Sequence, residues 1–148
     1  MPDPDCLNTL RCAAVLSELP RLGAFVDAYC RRHRLSDTVC RHAHLVLEEL
    51  FTNAVTHGQA AQPTTEVTAA LSLTGDGLQL VVEDDGAPFE PRPQPPVPAG
   101  TPLEAWPVGG LGLRLIHELA ADVRYERLAA GNRLTITLPL ARPDGASG

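Results

Sequence analysis

Seven of the 14 prolines in this 148-residue chain fall between Pro88 and Pro102, with one more at Pro107. Proline fixes φ and lacks a backbone N–H, so such a stretch cannot be a helix interior or a central strand. Regular structure is therefore confined to the segments before Gly86 and after Gly109. A loop this long in a small chain is either a functional lid or a disordered segment, and both readings stay open here.

On the N-terminal side, the moderately apolar run from Leu7 to Leu19 predicts a first strand. Pro20 suits the first turn of a helix, and Leu22, Phe25, Val26 and Tyr29 continue at helical spacing until the basic Arg31-Arg-His-Arg34 closes it. Ser36 is an N-cap with Asp37 in the first turn. Val39, Ala43, Val46, Leu47, Leu50, Phe51, Ala54 and Val55 then form a broad apolar stripe, and His57 with Gly58 ends that helix. Glu66 to Leu73 and Leu78 to Glu83 read as strands joined by Gly75-Asp-Gly77.

On the C-terminal side, Leu111 to Ala120 is helical, and Val123 to Leu128 and Leu134 to Leu140 are strands joined by Ala129-Ala-Gly-Asn132. This order predicts an α+β two-layer sandwich, a mixed, mainly antiparallel sheet covered by helices on one face. A single domain is expected over 1–148, with its core at about 8–140, a lid at 86–109 and a disordered tail at 141–148.

Composition narrows the function classes. A net charge of −6 argues against a nucleic-acid surface, which needs a basic stripe. It also means that a polyphosphate ligand must be met by backbone dipoles and a metal. Cys6, Cys12, Cys30 and Cys40 form no CxxC pair, and no clustered histidines complete a zinc set, so reduced thiols of a cytoplasmic protein are expected. The N-terminus has no apolar signal core, and no apolar run reaches membrane-span length.

Three segments carry chemistry. Glu49 and Asn53 lie four apart, one above the other on a helix face offset from the apolar stripe. An amide oxygen is a good ligand for Mg2+, and a carboxylate one turn away can deprotonate a hydroxyl or water; a solvated polar face is the other reading. Glu48 points about 100° away from Glu49. His57 either touches a ligand or caps the helix.

Asp84 and Asp85 stand where a strand leaves the sheet, and Gly86 lets a ring approach the backbone. Such an Asp can accept a hydrogen bond from an amino group, or simply form an acidic turn. Gly109, Gly110 and Gly112 precede an apolar helix, whose free N–H groups make an anion site or a plain cap. No Lys-Ser/Thr follows, and Leu115 occupies the third glycine's place, so neither the P-loop nor the dinucleotide fingerprint is met.

In order and spacing, the three segments resemble the boxes of the GHKL ATP-binding domain, the Bergerat fold. Glu49 to Gly58 is similar to its N-box, Asp84-Asp-Gly86 to its first glycine box and Gly110-Leu-Gly112 to its second. The likeness runs from about residue 8 to 140. Within that superfamily the chain most resembles the anti-sigma-factor serine/threonine kinases of bacterial partner-switching systems. Its small size, the box Asp84-Asp-Gly-Ala-Pro-Phe89 and Gly131-Asn-Arg133 before the last strand favour that branch.

The resemblance implies ATP and Mg2+ as cofactors, Asn53 as metal ligand, Glu49 as catalytic base and Asp84 at adenine with Gly86 beside it. Gly110 and Gly112 would hold the phosphates. His57, Pro88, Phe89, Gly109, Leu111, Leu113 and Asn132 complete the implied nucleotide-contacting set. The implied partners are a STAS-domain anti-sigma-factor antagonist as substrate, a sigma factor or other client, and a second copy in a homodimer. No contact with nucleic acid or membrane is implied.

Two positions depart from the pattern. Val108 stands where some members carry an arginine, and Asn132 replaces the usual threonine. Phosphate charge then rests on Mg2+, the helix terminus and Arg114 or Arg92. A nucleotide-gated binding module without phosphotransfer is the alternative function, and simple ATP hydrolysis a third.

Overall fold

Helix α2 (Asp37–His57) begins where capping chemistry places it, with Ser36 Oγ accepting the Val39 N–H at 3.1 Å. In this computed structural model, which describes residues 8–57, 65–86 and 110–140, its stripe Val39, Ala43, Val46, Leu47, Leu50, Phe51 and Ala54 is buried. Each buried side chain of Leu or Phe size contributes about 1.5–3 kcal/mol. Helix α1 (Leu19–Arg32) carries its proline in the first turn and buries Leu22, Val26, Tyr29 and Cys30 against α2. Arg34 ends that segment with φ +54°, the left-handed conformation that glycine usually takes, and the Leu35 N–H returns to the Cys30 carbonyl at 3.0 Å.

The strands are β1 (Thr9–Ala13), β2 (Glu66–Thr74), β3 (Gly77–Asp84), β4 (Asp122–Leu128) and β5 (Gly131–Leu138). They form one sheet in the order β1-β2-β3-β5-β4, and all four described ladders are antiparallel. Helix α3 (Gly110–Leu119) lies between β3 and β5 in sequence and packs on α2. The architecture is the expected α+β arrangement of one sheet with helices, though the described sheet is antiparallel throughout rather than mixed.

Directly opposed residues share a face, so the register sorts the sheet. Leu73, Leu78 and Leu138 make one row; Leu71, Leu80, Ile136 and Val123 the next; Leu10, Ala69, Val82, Leu134 and Tyr125 the third. These rows join the helical stripes in one core. The fourth row on this face changes character: Cys12, Val67, Asp84, Asn132 and Arg127. On the reverse face Arg133 bridges Glu83 at 2.7 Å and Glu126 at 3.0 Å, consistent with a sheet covered on one side.

Two segment boundaries need adjustment. The first strand covers only Thr9–Ala13. Val15 and Leu16 are exposed, and a 3-10 turn at Leu16–Glu18 leads into α1, because pairing with the β2 side stops once the Ala14 N–H reaches the Thr65 carbonyl. The last turn is two residues, not four: Gly131 already pairs with Leu128 and Asn132 with Arg127 inside β5. A Cβ at Gly131 would stand 1.9 Å from the Asp84 carbonyl oxygen, so glycine is what lets β5 approach β3 there. Apart from Gly86, the expected lid over 86–109 lies outside the described residues, with Pro88, Phe89, Arg92, Val108 and Gly109. So do Gly58 and the tail at 141–148.

Candidate functional site

The polar row at the end of the apolar face is tied into a knot of hydrogen bonds. Asp84 Oδ1 accepts the Gly86 N–H at 2.8 Å and the Asn132 Nδ2–H at 2.9 Å. Asn132 Oδ1 accepts the Tyr125 hydroxyl at 2.6 Å, and Asn132 itself is 2% exposed. The Arg127 guanidinium donates to the Gly86 carbonyl at 2.8 Å. Asp84 and Asn132 are 48 residues apart in sequence yet opposite each other in register, and Gly86 is brought to them by the turn after β3.

The knot has a directional consequence. Asp84 spends one carboxylate oxygen on structure, and among the described residues nothing is bonded to Oδ2. That oxygen is an acceptor held in place by its partner, suited to an exocyclic amino group. The departure at Asn132 is thereby explained: an amide can donate to Asp84 and accept from Tyr125 at once, which needs both ends of the side chain.

Asp85 takes the opposite role. It accepts the Thr65 N–H at 2.8 Å, the Glu66 N–H at 3.2 Å and the Thr65 hydroxyl, pinning the start of β2. Burial pushes its carboxyl up, but these hydrogen bonds outweigh it and hold the group below the ordinary value. Sequence reading left this anchor unseen, because its partner lies 20 residues away.

On α2, Glu48 and Glu49 separate as the helix geometry requires. Glu48 is exposed and Glu49 half-buried. Burial, and then repulsion from Glu48, push the Glu49 carboxyl above its ordinary value. One turn on, the Asn53 Nδ2 is buried and has no hydrogen-bond partner among the described residues. Leaving such a group unsatisfied costs about 1–3 kcal/mol, a cost that a ligand can relieve. Since the amide ends interchange by a flip, the same position can offer an oxygen to a cation. This donor set fits a hard cation held by few protein oxygens.

Gly110, Leu111, Gly112 and Leu113 form the first turn of α3, whose leading backbone N–H groups have no partner within the helix. Arg114 follows on the same helix, and His57 is the last residue of α2. Tyr125 and Arg127 were not found by motif. The period of two along β4 is the signal that would have placed both on the Asn132 face.

A family profile described as histidine kinase-like ATPase domain matches residues 12–138. The serine-protein kinase RsbW of Listeria innocua is 34% identical over 84 residues, 54% of either chain, so the matched stretch spans about half of that relative. The serine/threonine-protein kinase BtrW of Bordetella bronchiseptica is 27% identical over 114 residues, 77% of this chain and 76% of the relative. The crystal structure of the RsbU and RsbW domains of a Mycobacterium tuberculosis protein superposes with a TM-score of 0.62 at 21% identity, covering 96% of this chain and 34% of that one. At that identity the likeness speaks for the fold.

Proposed function

The chain belongs to the histidine kinase-like ATPase domain family, and from that premise we propose that it is an ATP-dependent serine/threonine protein kinase of the partner-switching type. Its substrate is then a serine or threonine of a STAS-domain anti-sigma-factor antagonist, and it holds a sigma factor or other client when that antagonist is phosphorylated. The names of its relatives, serine-protein kinase and serine/threonine-protein kinase, support the reaction class. The observation that carries the reading is the buried Asn53 Nδ2, unpartnered among the described residues, one turn from half-buried Glu49.

In this reading Asn53 holds Mg2+ through its amide oxygen. Bound ATP supplies the phosphoryl group, and the metal offsets its charge. Asp84 accepts from the adenine amino group through Oδ2, while Asn132 and the Gly86 N–H keep that carboxylate from turning away. Gly86 leaves room for the ring. The first turn of α3, Gly110 to Leu113, directs backbone N–H groups at anionic oxygens. Glu49 takes the proton of the attacking hydroxyl, and its raised proton affinity brings it closer to the working range of a general base. His57, Pro88, Phe89 and Gly109 complete the nucleotide-contacting set, and the acting species is a homodimer.

Calorimetry with Mg-ATP on the wild type and on Asn53→Ala tests the site, with metal-dependent binding expected to vanish in the variant. Glu49→Ala should keep nucleotide binding and lose about 100-fold or more of phosphotransfer to the antagonist. Undiminished transfer by that variant refutes the role given to Glu49. Val108, where some members carry an arginine, favours one competing reading, a nucleotide-gated binding module. Antagonist binding that depends on ATP without any phosphate incorporation would decide for it.

A further inference from the structure

Helices α1 and α2 bring a second set of polar groups together, on elements that the nucleotide reading does not use in this way. Asp27, Cys40 and His44 place a carboxylate oxygen, a thiol sulfur and a ring nitrogen within 4.8 Å of one another. His44 Nε2 lies 2.8 Å from Asp27 Oδ1, and Cys40 Sγ 3.9 Å from the same oxygen. The buried Cys30 thiol, on α1, is not one of the three.

The helices explain the convergence. Cys40 and His44 are four apart on α2, and Asp27 and Cys30 three apart on α1, so each pair shares one face of its helix. The two faces meet where α1 packs on α2. A cleft of about 430 Å³ opens there, lined by Asp27, Cys30, Cys40, Arg31, Arg34, Leu35 and Asp37.

We propose that Asp27, Cys40 and His44 form a three-ligand site for a zinc-like divalent cation, with water in the fourth tetrahedral position, separate from the nucleotide site. Ligands about 2.0–2.3 Å from such an ion lie about 3.3–3.8 Å from one another. The 2.8 and 3.9 Å separations found here bracket that edge, so small side-chain movements close the set. A thiolate and an imidazole select zinc, cobalt or a similarly soft ion over Mg2+. With the Cys40 thiol ionised the loaded site is neutral. Arg31, Arg34 and Asp37 line the same cleft, two cations against one further anion. The sequence hides this site because its ligands come from two helices, with no CxxC spacing.

The test uses the full chain, kept reduced with a phosphine, stripped by a chelator, and titrated with Co2+ and then Zn2+ in the absence of nucleotide. Expected are one equivalent of cobalt per chain, the intense ligand-field bands of four-coordination, a thiolate-to-cobalt charge-transfer band, and displacement of both by one equivalent of zinc. Charge transfer separates this site from Glu49 and Asn53, which offer no sulfur, so its outcome is independent of the proposed kinase activity. Cys40→Ser and His44→Ala should each weaken zinc binding more than about 100-fold, and Cys12→Ser on β1 should leave it unchanged. Weak or sub-stoichiometric binding, a six-coordinate spectrum, or a charge-transfer band that survives Cys40→Ser overturns the proposal. Far-UV circular dichroism checks that each variant folds, and the wild-type cobalt spectrum decides the matter even if Cys40→Ser does not.

Discussion

Asn132→Asp replaces a donor to Asp84 with a second carboxylate while keeping the size of the side chain. The Nδ2-to-Oδ1 distance is 2.9 Å, so the two charge centres would sit about 4 Å apart. At an effective dielectric constant near 20 their repulsion is about 4 kcal/mol. The pair can escape by holding one proton, which at pH 7 costs about 4 kcal/mol for a carboxyl of ordinary affinity, so neither route is easier. Asp84 is only half-buried, and solvent screening brings the expected loss to about 2–3 kcal/mol. For a chain of this length that is a fall of about 5–12 °C in melting temperature. Urea unfolding followed by circular dichroism at pH 7.5 and pH 4 measures it. Because the penalty exists only while both groups are ionised, most of it should disappear at the lower pH. A loss under about 1 kcal/mol at pH 7.5, or an equal loss at both pH values, would refute the view that Asn132 serves as a donor to Asp84.

Other outcomes follow from single features. Glu49 has a raised carboxyl pKa through burial and Glu48, so its contribution is present at low pH and lost as pH rises past its folded value; Glu49→Gln should therefore be more stable than wild type at pH 7.5 and equal to it below the carboxylate range, in paired urea melts. Asp85 is shifted the other way, so the stability lost on Asp85→Asn should be largest near neutral pH and shrink as pH falls through the native value. Arg34→Gly should gain about 1 kcal/mol, since Arg34 sits at φ +54°. Ser36→Ala removes the α2 cap and should cost about 1 kcal/mol by the same measurement.

Local physics made much of this legible in the sequence. The Ser36 cap, the α2 stripe, the alternation of β2 and the apolar run of β3 each reflect forces acting within a few residues, and the structure places them as read. What stayed hidden depends on register. Gly131 and Asn132 read as turn residues because both are common in turns; only the approach of β5 to Asp84 shows that one is required for space and the other for its two polar ends. The Asp85 anchor and the Asp27–Cys40–His44 cluster were missed for the same reason, since their partners are 20 and 17 residues apart. Glu49, Asn53 and Asp84 were legible as candidates because family order and spacing marked them, whereas Tyr125 and Arg127 belong to no box.

The β3–β5 ladder is also a seam. The β2–β3 and β4–β5 hairpins each close over a short turn, whereas Asp84 must find Asn132 across 48 residues. On loop-closure grounds that meeting costs about 2 kcal/mol more than a hairpin turn. The knot therefore fastens two locally folding halves at their last rung. A ligand seated there would act as a clasp between the halves, and the chain should be divisible in its proline-rich stretch into two fragments whose reassembly that ligand promotes.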